Sequence, residues 1–140
     1  MTHPAHTHRL PDWQTRMEAF VRERMHQPFA WGSNDCAIFA SDCVQTITGQ
    51  DPAPAGLRRH RTAKQAYRAI ARHGGLCAIA TQALGGPIAP AMAQVGDVVL
   101  VSAGKRDALA ICNGSTALAP SSVGLVPVPM GEARMAWGVR

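Results

Sequence analysis

A chain of 140 residues with 46% hydrophobic side chains and only 5% aromatics is of single-domain size, with a core built mainly from small residues. A formal charge of +5 and a pI near 9.6 favour an anionic partner (nucleic acid, an acidic wall polymer or an acidic protein surface) without choosing among them. No apolar run approaches the length that spans a bilayer, which excludes a membrane-spanning helix. The opening residues lack an apolar signal-peptide core, so synthesis in the cytoplasm without Sec export is the expectation.

In chain order, residues 1–9 read as a flexible tail and residues 10–140 as one domain. His3, His6 and His8 lie in that tail, and neither a structural metal nor a cofactor is expected. A helix begins at Asp12 and ends before Pro28, with Trp13, Met17, Phe20, Val21 and Met25 on one face. Its apolar face is expected to pack on the helix that follows.

That second helix starts at Cys36. Phe39, Ala40, Cys43, Val44 and Ile47 follow at helical offsets and form a continuous apolar face, and Gly49 supplies the C-terminal stop. Asn34 is the natural N-cap, which puts Cys36 in the first turn. The partial positive charge of a helix N-terminus stabilises a thiolate, so Cys36 is a candidate nucleophile. Cys43, Cys77 and Cys112 read as small hydrophobes. No pair has Cys-x-x-Cys spacing, and Cys36 and Cys43 lie two turns apart on one helix, roughly 10 Å along its axis. Reduced thiols are therefore expected.

Gln50 to Arg59 is a loop rich in proline. Thr62 and Gln65 form a capping box for a third helix that runs to about His73, with Ala63, Ala66, Tyr67 and Ile70 inward. Arg61, Lys64, Arg68 and Arg72 line its flank, either as a solvated face or as a docking surface for an anionic partner. Leu76 to Leu84 is a short apolar helix, followed by a loop over Ile88 to Gln94. Short strands follow at Val98–Val101, Ala108–Cys112, Thr116–Ala119 and Leu125–Val128, with Asn113-Gly114 the clearest hairpin turn. A helical turn around Glu132 to Met135 and a strand at Trp137–Val139 close the chain. Helices first and a meander after predict an α+β fold, with N-terminal helices packed on a small C-terminal antiparallel sheet.

Trp31-Gly32-Ser33-Asn34-Asp35-Cys36 resembles the nucleophile motif of the NlpC family of cell-wall cysteine peptidases, compact relatives of the papain-like fold. Gly96-Asp97 and the apolar residues after it resemble the strand that precedes the family's histidine strand. The chain is similar, more closely still, to a branch of small phage and prophage proteins with the same Trp-Gly-x-x-Asp-Cys signature. The resemblance implies a cysteine that opens a helix against an antiparallel sheet. It also implies a base histidine at the start of the next strand, and that position is occupied by Ala108. The residue that would orient the histidine falls near Leu118. A thiol without a base forfeits general acid–base help typically worth a factor of about 100 to 10,000.

Three functions follow as expectations. The first is a phage or prophage tail-tip component, located in the virion tail, that partners other tail proteins and carries a degenerate catalytic site. The second is an active peptidoglycan endopeptidase with Cys36 as nucleophile, Asp35 as base or orienter, Trp31 in the binding site, and His26 as the best-placed base. A surface position is the expectation for His26, His60 and His73 alike. The third is a basic binding module; nucleic acid is disfavoured because no aromatics interleave with the basic residues.

Overall fold

The structure is a computed structural model that describes residues 8–140. His3 and His6 lie outside the described residues. Among the described residues four α-helices come first: α1 (Trp13–Arg24), α2 (Cys36–Thr48), α3 (Ala63–Arg72) and α4 (Leu76–Leu84). Five strands follow: β1 (Val98–Ala103), β2 (Arg106–Cys112), β3 (Thr116–Ser121), β4 (Gly124–Pro129) and β5 (Met135–Trp137). They form one antiparallel sheet in the order β4-β3-β2-β1-β5. The fold is α+β, with the helices packed on the C-terminal sheet.

Residue alternation gives the sheet two apolar faces. Val98, Leu100, Leu109, Ile111 and Trp137 point to the side covered by α2, where Phe39, Cys43, Val44 and Ile47 meet them. Each large apolar side chain buried there stabilises the fold by about 1.5–3 kcal/mol. Helix α1 adds Met17 and Phe20, and the Phe20 and Phe39 rings lie 5.4 Å apart. The opposite face carries Val99, Val101, Ala108, Ala110, Ala117 and Ala119, against which Cys36 and Ile88 pack. Its alanines make this face shallow, and the cleft described below opens over it.

Several boundaries differ from the sequence reading, each for a local reason. Helix α1 stops at Arg24, because the Met25 carbonyl accepts from Leu125 of β4 rather than from a further helical turn. The last strand is Met135–Trp137 and the preceding single turn is Met130–Glu132, both shifted toward the N-terminus. At α3 the Thr62 hydroxyl accepts from the Gln65 amide as a cap should, but the Gln65 side chain returns to the Arg61 amide, one residue outside the expected box. Tyr67 is 43% exposed rather than inward, and Ala66 and Ala69 take the buried positions.

Arg9 is not part of a loose tail. Asp97 is fully buried and accepts hydrogen bonds from the amides of Gln94 and Val139 and from the guanidinium groups of Arg9 and Arg140. Arg9 also donates to the Val139 carbonyl. A buried carboxylate needs such partners, and here they tie both ends of the domain to the start of β1. Asp97, the aspartate of the Gly96-Asp97 pair, thus has a structural role.

Candidate functional site

The approach to α2 is a tight loop. Gly32 sits at φ +83°, a backbone conformation that side chains disfavour, and a Cβ there would collide with the carbonyl oxygen of His60. Asn34 is buried but is not the cap. Its amide nitrogen donates to the Gln27 and Pro28 carbonyls, and its oxygen accepts from Arg24. Asn34 therefore staples the end of α1 to the start of α2. The cap is Asp35, whose Oδ1 accepts from the Ile38 amide at 3.0 Å.

The second oxygen of Asp35 accepts from the Gly32 amide at 2.9 Å and meets Nε2 of His60 at 2.6 Å. Because a carboxylate only accepts, Nε2 carries the hydrogen and donates. Both side chains are almost wholly buried, and His60 Nδ1 has no hydrogen-bond partner among the described residues. His60 is thus an interior residue, which corrects its expected surface placement. The pair joins the Trp31–Cys36 loop to the segment that leads into α3. With both oxygens occupied, Asp35 holds structure and is not a free base.

Cys36, the first residue of α2, is half-buried and lines a cleft of about 640 Å3. Ala108 lines the same cleft, as do Val101 and Ala119 of the neighbouring strands. Phe29, Trp31 and Tyr67 form one wall: the Phe29 and Trp31 rings meet edge to face at 4.7 Å, and Trp31 meets Tyr67 at 5.7 Å. Desolvation in these apolar surroundings pushes the Cys36 thiol from 9.0 up to about 11. The backbone of Leu109 and the first-turn amides of Ala37 and Cys36 pull it down, while the Asp35 charge adds to the rise. The helix N-terminus does favour the thiolate, as expected, but burial wins and the net direction is reversed.

Among the described residues no imidazole is hydrogen-bonded to the Cys36 sulfur. His26 lines a different cleft along α1, with Trp13, Met17 and Val21, and does not serve Cys36. His73 Nε2 lies 3.1 Å from the Ala55 carbonyl. Cys43 and Cys112 are buried, and the Cys77 sulfur contacts the Met135 sulfur at 3.5 Å. Lys64, Arg68 and Arg72 are exposed along α3. Arg61 folds back on the carbonyls of Arg58 and His60, and Arg58 is engaged by Asp42 and Asp51. No group of three or more His, Cys, Asp or Glu side chains among the described residues is placed to hold a metal ion. No helix among them is long and apolar enough to cross a membrane.

The structure therefore brings Cys36, Trp31 and the Ala108 position into one cleft, with Asp35 fixed beside them. It adds four residues that sequence reasoning did not select: His60, Phe29, Tyr67 and Arg106, the last with its guanidinium 5.3 Å from the Tyr67 ring. Phe29 lies two residues before the Trp31–Cys36 motif and Tyr67 within the basic helix, but neither carries a spacing that points to Cys36.

A family model described as a domain of unknown function, DUF6950, matches residues 8–139. No curated protein matches the chain.

Proposed function

The chain belongs to the DUF6950 family, and we propose that it is a binding protein on a cysteine-peptidase plan, its catalytic site degenerate, that serves in a phage or prophage tail tip. One observation carries the loss of chemistry: Cys36 and Ala108 line the same apolar cleft, so a methyl group stands where the resemblance calls for an imidazole. Attack by Cys36 on a carbonyl needs a group to take the thiol proton and later return it to the leaving amine. Among the described residues no such group is hydrogen-bonded to the sulfur, and a thiol raised to about 11 is mostly protonated at neutral pH. The tail setting is supported by the resemblance of the Trp31–Cys36 motif alone. In that setting the exposed Lys64, Arg68 and Arg72 flank would face an acidic neighbour among the tail proteins.

The test is incubation of purified peptidoglycan with the native chain, with Cys36→Ala and with Ala108→His, with released muropeptides followed by mass spectrometry. The proposal expects no release above the Cys36→Ala background from the native chain. Release by the native chain that Cys36→Ala abolishes would establish an active endopeptidase instead. Alkylation of Cys36 in Ala108→His reads the vacancy directly: an imidazole beside the sulfur is expected to move the labelling midpoint to lower pH.

A further inference from the structure

The cleft over Cys36 has a chemical character that the loss of catalysis does not explain. On β2, Arg106, Ala108 and Ala110 project to one side of the sheet by alternation. Across the ladder Val101 pairs with Ala108, and Ala119, Val126 and Val128 continue the floor from β3 and β4. Alanines at 108 and 119 keep that floor low, which leaves a volume of about 640 Å3, within the range of small-molecule sites. Floor and wall are aliphatic or aromatic almost throughout, so the body of any ligand must be apolar.

The charged groups at the mouth are Arg106 and Asp107. Asp107 is neutralised by Arg134. Arg106 has no such partner: its guanidinium lies over the Tyr67 ring, and no carboxylate of the described residues pairs with it. No side chain or carbonyl of the described residues takes its N–H donors, and an unengaged guanidinium fork can take a carboxylate bidentately. A single uncompensated cation with an ion pair beside it matches a monoanion better than a multiply charged phosphate.

We propose that this cleft binds a medium-chain aliphatic monocarboxylate, with the chain along the alanine and valine floor beneath Trp31 and the carboxylate on Arg106. The site goes beyond the tail-tip reading and does not depend on it, since a non-catalytic cleft could hold such a ligand in any setting.

The test is calorimetric titration of the full chain with decanoate, with decanol and decyltrimethylammonium as head-group controls below their aggregation limits. Decanoate is expected to bind one per chain, more tightly than either control. Arg106→Gln, an exposed position that does not threaten folding, is expected to weaken decanoate by about tenfold or more and leave decanol unchanged. Ala108→Phe, checked for folding by circular dichroism, fills the floor and is expected to abolish both; if it does not fold, Val128→Phe replaces it. No binding of decanoate to the native chain overturns the proposal. So does equal affinity for the three head groups, or decanoate binding that Arg106→Gln leaves intact. None of these results bears on peptidoglycan release, so the two readings fail separately.

Discussion

Replacing Asp35 with serine and with alanine separates its two duties. Serine keeps an oxygen that can cap the Ile38 amide, but it cannot reach Nε2 of His60, which Asp35 contacts at 2.6 Å. The histidine is left buried with both ring nitrogens unpartnered among the described residues, because Nδ1 already has no partner there. An unsatisfied buried polar group costs about 1–3 kcal/mol, and breaking a buried pair by removing one member costs about 3–5 kcal/mol. Asp35→Ser should therefore lose about 2–4 kcal/mol. Asp35→Ala should lose about 1 kcal/mol more, the worth of the cap. Urea unfolding followed by circular dichroism measures both, with His60→Phe and the double variant completing a cycle. A coupling energy above about 1 kcal/mol between positions 35 and 60 is expected. If Asp35→Ser loses less than about 0.5 kcal/mol, the buried pair is not what holds the loop, and the structural role assigned to both residues is wrong.

Gly32→Ala forces a side chain onto a φ of +83° and into the His60 carbonyl; a loss of at least about 2 kcal/mol is expected in thermal or urea unfolding, and a neutral result would refute the close approach. Asp97→Ala strips the partner from Arg9 and from the Val139 and Gln94 amides, and should cost about 3–5 kcal/mol and expose the chain ends to proteolysis; unchanged stability would refute the clasp. Alkaline stability reads the thiols. Cys36 and Cys43 ionise at 9.0 when unfolded but only near 11 and 12 when folded, burial being the main cause in both. Between those values the unfolded chain holds fewer protons, so stability should fall as pH rises above 9.0, and less steeply in Cys43→Ala. Equal slopes would refute it. Alkylation of Cys36 mapped by mass spectrometry should run about a hundredfold below an ordinary thiol at pH 8, since each pH unit is a factor of ten; a labelling midpoint near or below 8.5 would refute burial as the dominant influence.

Local pattern was enough for much of the framework. The offsets from Cys36 to Ile47 marked the buried face of α2, because every such residue lies within a few turns of the next and the period belongs to the helix itself. Gly49 at φ +81°, the Thr62 cap and the turn at Asn113-Gly114 likewise act within a few residues of their own backbone. The cap at α2 was misplaced by one position. Asn34 and Asp35 are both competent caps, and the choice between them depended on partners outside the loop: Arg24 for the first and His60 for the second.

What the amino-acid order determined on its own was the succession of helices and strands, their apolar faces and the place of Cys36 in a first turn. Tertiary structure decided the rest, because each deciding contact joins residues far apart in the chain. His60 finds Asp35 across 25 positions, and Arg9 finds Asp97 across 88. The sign of the Cys36 shift was decided in the same way: the helix N-terminus is a property of sequence, but the desolvation that outweighs it comes from the sheet and aromatic wall folded around the sulfur. Arg106 and Tyr67 acquire a role only when β2 and α3 arrive on the same cleft, and no periodicity in one segment records the position of another.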